Sequence, residues 1–136
     1  MKVENIADIY ELSPMQQGIL FHILYAPNSE LYFLHLSCTI KGDFDVIAFE
    51  QAWQRIVERH AILRTSFHWQ DLEKPLQIVN RQINVSLEKL DWRLISPSLQ
   101  QQQLEAFLLA DCQQGFDLTK APLMRLFLIQ LTDDTY

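Results

Sequence analysis

The chain has few of the residues that mark disordered, fibrous or membrane-spanning proteins. It contains 3 glycines and 5 prolines among 136 residues, too few for a disordered or collagen-like chain. No apolar run approaches the roughly 20 residues that cross a bilayer. The formal net charge is −6, from 11 basic and 17 acidic residues. This balance disfavours binding to nucleic acid or to an anionic membrane, because both depend on Lys and Arg.

Cysteine is also scarce, with only Cys38 and Cys112, and the two are not spaced as a CxxC motif. We expect two buried thiols rather than a disulfide. Residues 1–10 are charged and lack the apolar core of a secretory signal, so we expect a cytoplasmic protein. Apolar residues make up 49% of the chain, which is enough for a packed core.

Local signals predict three helices. Ser13 can cap the first, Pro14 fits the first helical position, and Gln16 completes a capping box. The second helix has a capping Asp45 with Phe44 and Phe49 spaced as a hydrophobic staple, and the third has a serine–proline start. The expected helices run from Ser13 to about Leu24, from Asp45 to near His60, and from Ser96 to Gly115.

Runs of alternating or continuous apolar residues predict strands between these helices. The run at 123–131 is apolar on both faces, which is typical of a strand in the middle of a sheet. Thr135 and Tyr136 follow a predicted turn and resemble the start of another strand. The expected strands are 31–40, 63–70, 75–80, 82–90 and 123–131, with 75–80 and 82–90 paired as a hairpin.

Familiar catalytic and metal-binding motifs are absent from the sequence. It has no GxSxG, no glycine-rich phosphate loop and no HExxH. The four histidines lack the i, i+4 spacing of a helical metal site, so we expect structural roles for them and no metal site. These histidines are His22, His35, His60 and His68.

Three stretches together resemble the condensation domains of nonribosomal peptide synthetases. Residues 12–22, LSPMQQGILFH, resemble the first core motif of that family, and residues 59–67, RHAILRTSF, resemble the second, RHxxLRTxF. Residues 115–125, with GFDL followed by APLMR, are similar to the stretch before the third motif, HHxxxDG. The motif residues carried over are Ser13, Gln16, Arg59, His60, Arg64 and Thr65.

The resemblance implies an α/β (α+β) fold like that of chloramphenicol acetyltransferase, which has two lobes with a tunnel between them. Residues 1–136 are then a single partial domain, the N-terminal lobe, with a mixed sheet packed against about three helices. HHxxxDG is expected shortly after the position of Tyr136, so we expect no catalytic residue within the chain. The parent protein is expected to be an enzyme and this chain alone to be inactive.

The implied reaction is peptide-bond formation in secondary metabolite, including antibiotic, biosynthesis. Donor and acceptor peptidyl carrier proteins present aminoacyl or peptidyl thioesters on phosphopantetheine arms, and the acceptor amine attacks the donor carbonyl. The second histidine of HHxxxDG acts as a base or positions the amine. Further implied partners are the C-terminal lobe of the domain and an adjacent adenylation domain. Neither nucleic acid nor a membrane is expected as a partner. Two alternatives stay open: a non-catalytic docking module for a carrier protein or neighbouring domain, and a coenzyme A-dependent acyltransferase of the same fold.

Arg64 has a specific expected role. From the sequence alone it is as readily a surface residue as a buried one, and a buried arginine needs a carboxylate or several carbonyls. The resemblance implies that it pairs with the aspartate of HHxxxDG and supports the loop that carries the histidine. Within this chain we expect it to be solvated, disordered or paired differently.

Overall fold

A computed structural model describes residues 5–26 and 31–136 of the chain. A short 3₁₀ turn, Ala61–Arg64, connects the second helix to the second strand. The helices are α1 (Pro14–Tyr25), α2 (Val46–Arg59) and α3 (Pro97–Gln114), and the strands are β1 (Ile6–Glu11), β2 (Thr65–His68), β3 (Leu76–Asn80), β4 (Leu87–Asp91) and β5 (Leu126–Gln130).

The three helices form where the local signals predicted them. At α1 the hydroxyl of Ser13 accepts a hydrogen bond from the Gln16 backbone, and the Gln16 side chain accepts one from the Ser13 backbone. At α2 the rings of Phe44 and Phe49 lie 5.1 Å apart, which confirms the staple. Ser96 sits at the N-cap of α3 but makes no capping hydrogen bond with its side chain, so that part of the prediction was wrong.

The first sheet is antiparallel, in the order β1–β3–β2. Its central strand β3 is buried, with Ile78 paired to Ile9 on one side and to Ser66 on the other. Strand β1 was not predicted from the sequence. Its sequence, IADIYE, has no alternating apolar pattern that would predict a strand, and five of its six residues are exposed.

The predicted hairpin of 75–80 with 82–90 was wrong. β3 pairs within the first sheet, whereas β4 pairs in parallel with β5, from Leu87 opposite Leu126 to Asp91 opposite Gln130. Helix α2 holds the connection between them, because the Gln54 side chain donates to the carbonyl of Ile83 (3.0 Å) and accepts from the Val85 backbone (3.1 Å). The connection is therefore anchored to α2 instead of folding into a tight turn.

The prediction that 123–131 is a central strand was also wrong in part. The strand β5 covers only Leu126–Gln130, and β4 is its sole strand neighbour in the sheets of the described ranges. Leu128 is buried, while the residues on either side are half-buried. The apolar run predicted burial correctly, but a run of apolar residues does not specify how many neighbours a strand has.

Residues 33–40, inside the predicted strand 31–40, have no strand assignment. The alternating residues of this segment are largely exposed, since Leu34 and Leu36 are 91% and 94% accessible and Cys38 is exposed as well. Phe33 on the opposite face packs against Phe116, with ring centroids 5.3 Å apart. The alternation of apolar residues correctly indicated an extended segment. A β-strand also needs backbone hydrogen bonds to a neighbouring strand along its length, and here such bonds begin only at Ile40. The expectation that both thiols are buried is thus wrong, because Cys38 is exposed and Cys112 is half-buried.

Candidate functional site

A cavity of about 740 Å³, partly open to solvent, lies among the helices and strands. Helices α1 and α3, strand β5 and residues 32–40 contribute most of its walls. The lining is mainly apolar, with examples in Leu20, Ile23, Leu36, Phe107 and Leu126. A cavity of this size and character is typical of small-molecule and cofactor sites.

The first motif connects α1 to the sheet beside this cavity. Gln16 lines the cavity, and its side-chain amide bonds to that of Gln77 at 3.0 to 3.2 Å. Gln77 is only 5% accessible and also donates to the carbonyl of Glu11. Ser13 fixes the start of the helix through the capping box. Gln16 therefore has two roles, because it completes the cap and fixes α1 against β3.

Arg64 is half-buried and is bound entirely to backbone oxygens. Its Nε donates to the carbonyl of Val57 at 3.0 Å, and one terminal nitrogen donates to the carbonyls of Asn80 and Arg81, the latter at 3.2 Å. Asn80 returns a hydrogen bond to the Arg64 carbonyl at 3.0 Å. Arg64 was expected to be solvated, disordered or paired differently within this chain. It is paired differently, with several backbone carbonyls in place of a carboxylate. The guanidinium joins the end of α2 to the end of β3.

The other residues of the second motif shape the same junction. Arg59 is the last residue of α2, and His60 caps that helix end, with both side chains at the surface. Thr65 is buried, and its hydroxyl donates to the carbonyl of Ala61 at 2.9 Å. None of Arg59, His60, Arg64 or Thr65 lines the cavity. The motif thus mainly forms a helix-to-strand joint, and its last residue, Phe67, contributes to the cavity wall.

The stretch before the expected third motif is held by Asp117. Its carboxylate accepts from the backbone and hydroxyl of Thr119 and lies 2.8 Å from Nζ of Lys120. The hydrogen bond from Lys120, followed by those from Thr119, lowers the pKa of Asp117 to about 2. The next carbonyl, that of Leu118, accepts from the backbone of Phe67 at 2.8 Å. The second and third matching stretches therefore meet in space.

A second polar cluster was not predicted from the sequence. Asp111 is 10% accessible, with one oxygen 2.7 Å from Nε of Arg125, as an ion pair without hydrogen-bond geometry, and the other 3.1 Å from Nε2 of His35. Arg125 also donates to the carbonyls of Asp111 and Gly115, and its guanidinium lies 4.2 Å from the ring centre of Phe116. His35, Asp111 and Arg125 all line the cavity. They are far apart in sequence, and no local pattern marks them as a group.

Neither metal sites nor membrane spans are found in the part of the chain that the structure describes. In residues 5–26 and 31–136, no three His, Cys, Asp or Glu side chains are grouped as metal ligands would be. Within the same ranges no helix is both long and apolar enough to cross a bilayer. What the described residues do provide is an apolar chamber with a few convergent polar groups on its wall.

Comparison with known families decides what kind of chamber this is. The profile of the Condensation domain family matches residues 6–136, almost the whole chain. The chain belongs to the condensation-domain family. The resemblance found in the three core stretches is thereby confirmed.

Curated relatives of this condensation-domain chain are very large synthases. It is 45% identical over 132 residues to a linear gramicidin synthase of Brevibacillus parabrevis, covering 97% of the chain and 2% of that protein. It is 40% identical over 132 residues to bacitracin synthase 3 of Bacillus licheniformis, again covering 97% of the chain and 2% of that protein. The chain thus spans a small part of the length of the relatives that it matches.

Solved condensation domains share the fold. The starter condensation domain of rhizomide synthetase RzmA superposes with a TM-score of 0.78 at 24% identity, over 95% of this chain and 32% of that one. A four-domain nonribosomal peptide synthetase, AB3403, gives 0.79 at 20% identity, over 96% of this chain and 10% of that one. The expected α/β fold with three helices is confirmed, and it is shared with these solved proteins.

Proposed function

We propose that the chain is one lobe of a nonribosomal peptide synthetase condensation domain, and that the parent protein forms peptide bonds between carrier-bound thioesters. The single observation that carries this proposal is the family match over residues 6–136. In the reaction, the amine of an acceptor aminoacyl thioester attacks the carbonyl of a donor aminoacyl or peptidyl thioester. The peptide is transferred to the acceptor and the donor thiol leaves.

Phosphopantetheine enters this proposal as a group carried by partners and not as a resident cofactor. Donor and acceptor carrier proteins would each bring an arm to the domain, and the C-terminal lobe would supply the opposite wall. The apolar lining of the 740 Å³ cavity supports a hydrophobic chamber for the thioester-bound groups. Holding two tethered reactants together would supply much of the acceleration. An adjacent adenylation domain and a cytoplasmic location belong to the same proposal.

For Arg64 we propose a positioning role. Its carbonyl contacts already fix the guanidinium between α2 and β3. In the parent domain the aspartate of HHxxxDG would be its additional partner, so Arg64 would fix the loop that carries the histidine. The histidine of that motif, which is not among the 136 residues, would act on the acceptor amine. The chain by itself would then be inactive.

Peptide-bond formation can be tested with the parent protein, a donor aminoacyl carrier protein and an acceptor aminoacyl carrier protein. We expect intact-protein mass spectrometry to find a dipeptidyl group on the acceptor carrier. The 136-residue chain under the same conditions should give none. Product made from an acyl coenzyme A donor but not from a carrier-bound donor would favour the acyltransferase alternative. Carrier binding without product would favour the docking module.

A matched pair of arginine variants tests the positioning role. We expect Arg64→Ala in the parent protein to lower kcat at least tenfold, with KM for the acceptor carrier nearly unchanged. Arg55→Ala, at an exposed site on α2, is the control and should keep wild-type kcat. A change confined to the melting temperature would show that Arg64 supports the fold and nothing more.

A further inference from the structure

We draw no further inference here: the strongest candidate, the side-chain cluster of His35, Asp111 and Arg125 on the cavity wall, belongs to the site already described, and nothing in the structure shows what covers the open side of that cavity.

Discussion

Nε of Arg64 lies 3.0 Å from the carbonyl oxygen of Val57, a fully buried residue in the last turns of α2. The carbonyls near a helix end lack partners within the helix and need donors from elsewhere. Arg64 supplies one such donor and also donates to the carbonyls of Asn80 and Arg81. The second core motif therefore encodes a junction between a helix and a sheet.

Loss of the Arg64 side chain should destabilise the 136-residue chain. Arg64→Ala leaves half-buried carbonyls unpaired, and we expect the free energy of unfolding to fall by about 2 to 4 kcal/mol. Arg55→Ala, at an exposed site on the same helix, should change it by about 0.5 kcal/mol or less. Urea denaturation monitored by tryptophan fluorescence measures both. Similar values for the two variants would show that the carbonyl contacts contribute little.

The capping box of α1 gives a second prediction. Ser13→Ala removes the acceptor for the Gln16 backbone, and we expect a loss of about 1 kcal/mol. Ser13→Asp keeps an acceptor at the N-cap and should restore most of that stability. Thermal denaturation of the three proteins provides the measurement. If Ser13→Asp is as unstable as Ser13→Ala, the serine has another role.

The ion pair between Asp111 and Arg125 gives a third prediction. Asp111→Ala leaves the Arg125 guanidinium, which is 23% accessible, without its carboxylate, and we expect a loss of about 3 kcal/mol or more. Glu105→Ala removes an exposed carboxylate from the same helix and serves as the control. Chemical denaturation should give a clearly lower free energy of unfolding for Asp111→Ala than for Glu105→Ala. An Asp111→Ala protein as stable as the control would contradict the cluster.

The pH dependence of stability follows from two exposed aspartates. Hydrogen bonds from Arg93 lower the pKa of Asp91 to about 2, and those from Lys120 and Thr119 do the same for Asp117, from an ordinary value of 3.8. A lowered pKa means that the stabilisation is present above 3.8 and is lost as the pH falls through about 2. We therefore expect the urea concentration at the denaturation midpoint to decrease as the pH is lowered from 4 to 2.

The double variant Asp91→Asn and Asp117→Asn tests that assignment. Its midpoint should fall less steeply over the same interval, because two of the titrating groups are gone. Asp43→Asn, at an exposed position before α2, removes a carboxylate that has neither of these partners and serves as the control. An unchanged slope in the double variant would place the acid sensitivity elsewhere.

Local elements of the fold could be predicted, because their signals lie within a few residues of each other. The cap of α1 depends on residues three apart, and the staple of α2 depends on Phe44 and Phe49. The pairing of strands could not be predicted in this way. Gln54 of α2 anchors the connection before β4, and nothing near residues 81–86 in sequence indicates it.

The candidate site also has a part that could be predicted from the sequence and a part that could not. The residues carried over by family resemblance, such as Arg64 and Gln16, are found at structural junctions, one of them beside the cavity. The cluster of His35, Asp111 and Arg125 joins three separate parts of the chain, so only the folded structure shows it. Its members are distant in sequence, and each is an ordinary residue in its local context.

The most direct test of the proposed function is the mass of the acceptor carrier protein after a single turnover of the parent domain. We predict an increase equal to the donor acyl group, and a much slower increase with Arg64→Ala than with Arg55→Ala. A folded parent domain that leaves the acceptor mass unchanged, with both carrier thioesters shown to be intact, would contradict the proposal that the parent domain joins carrier-bound thioesters.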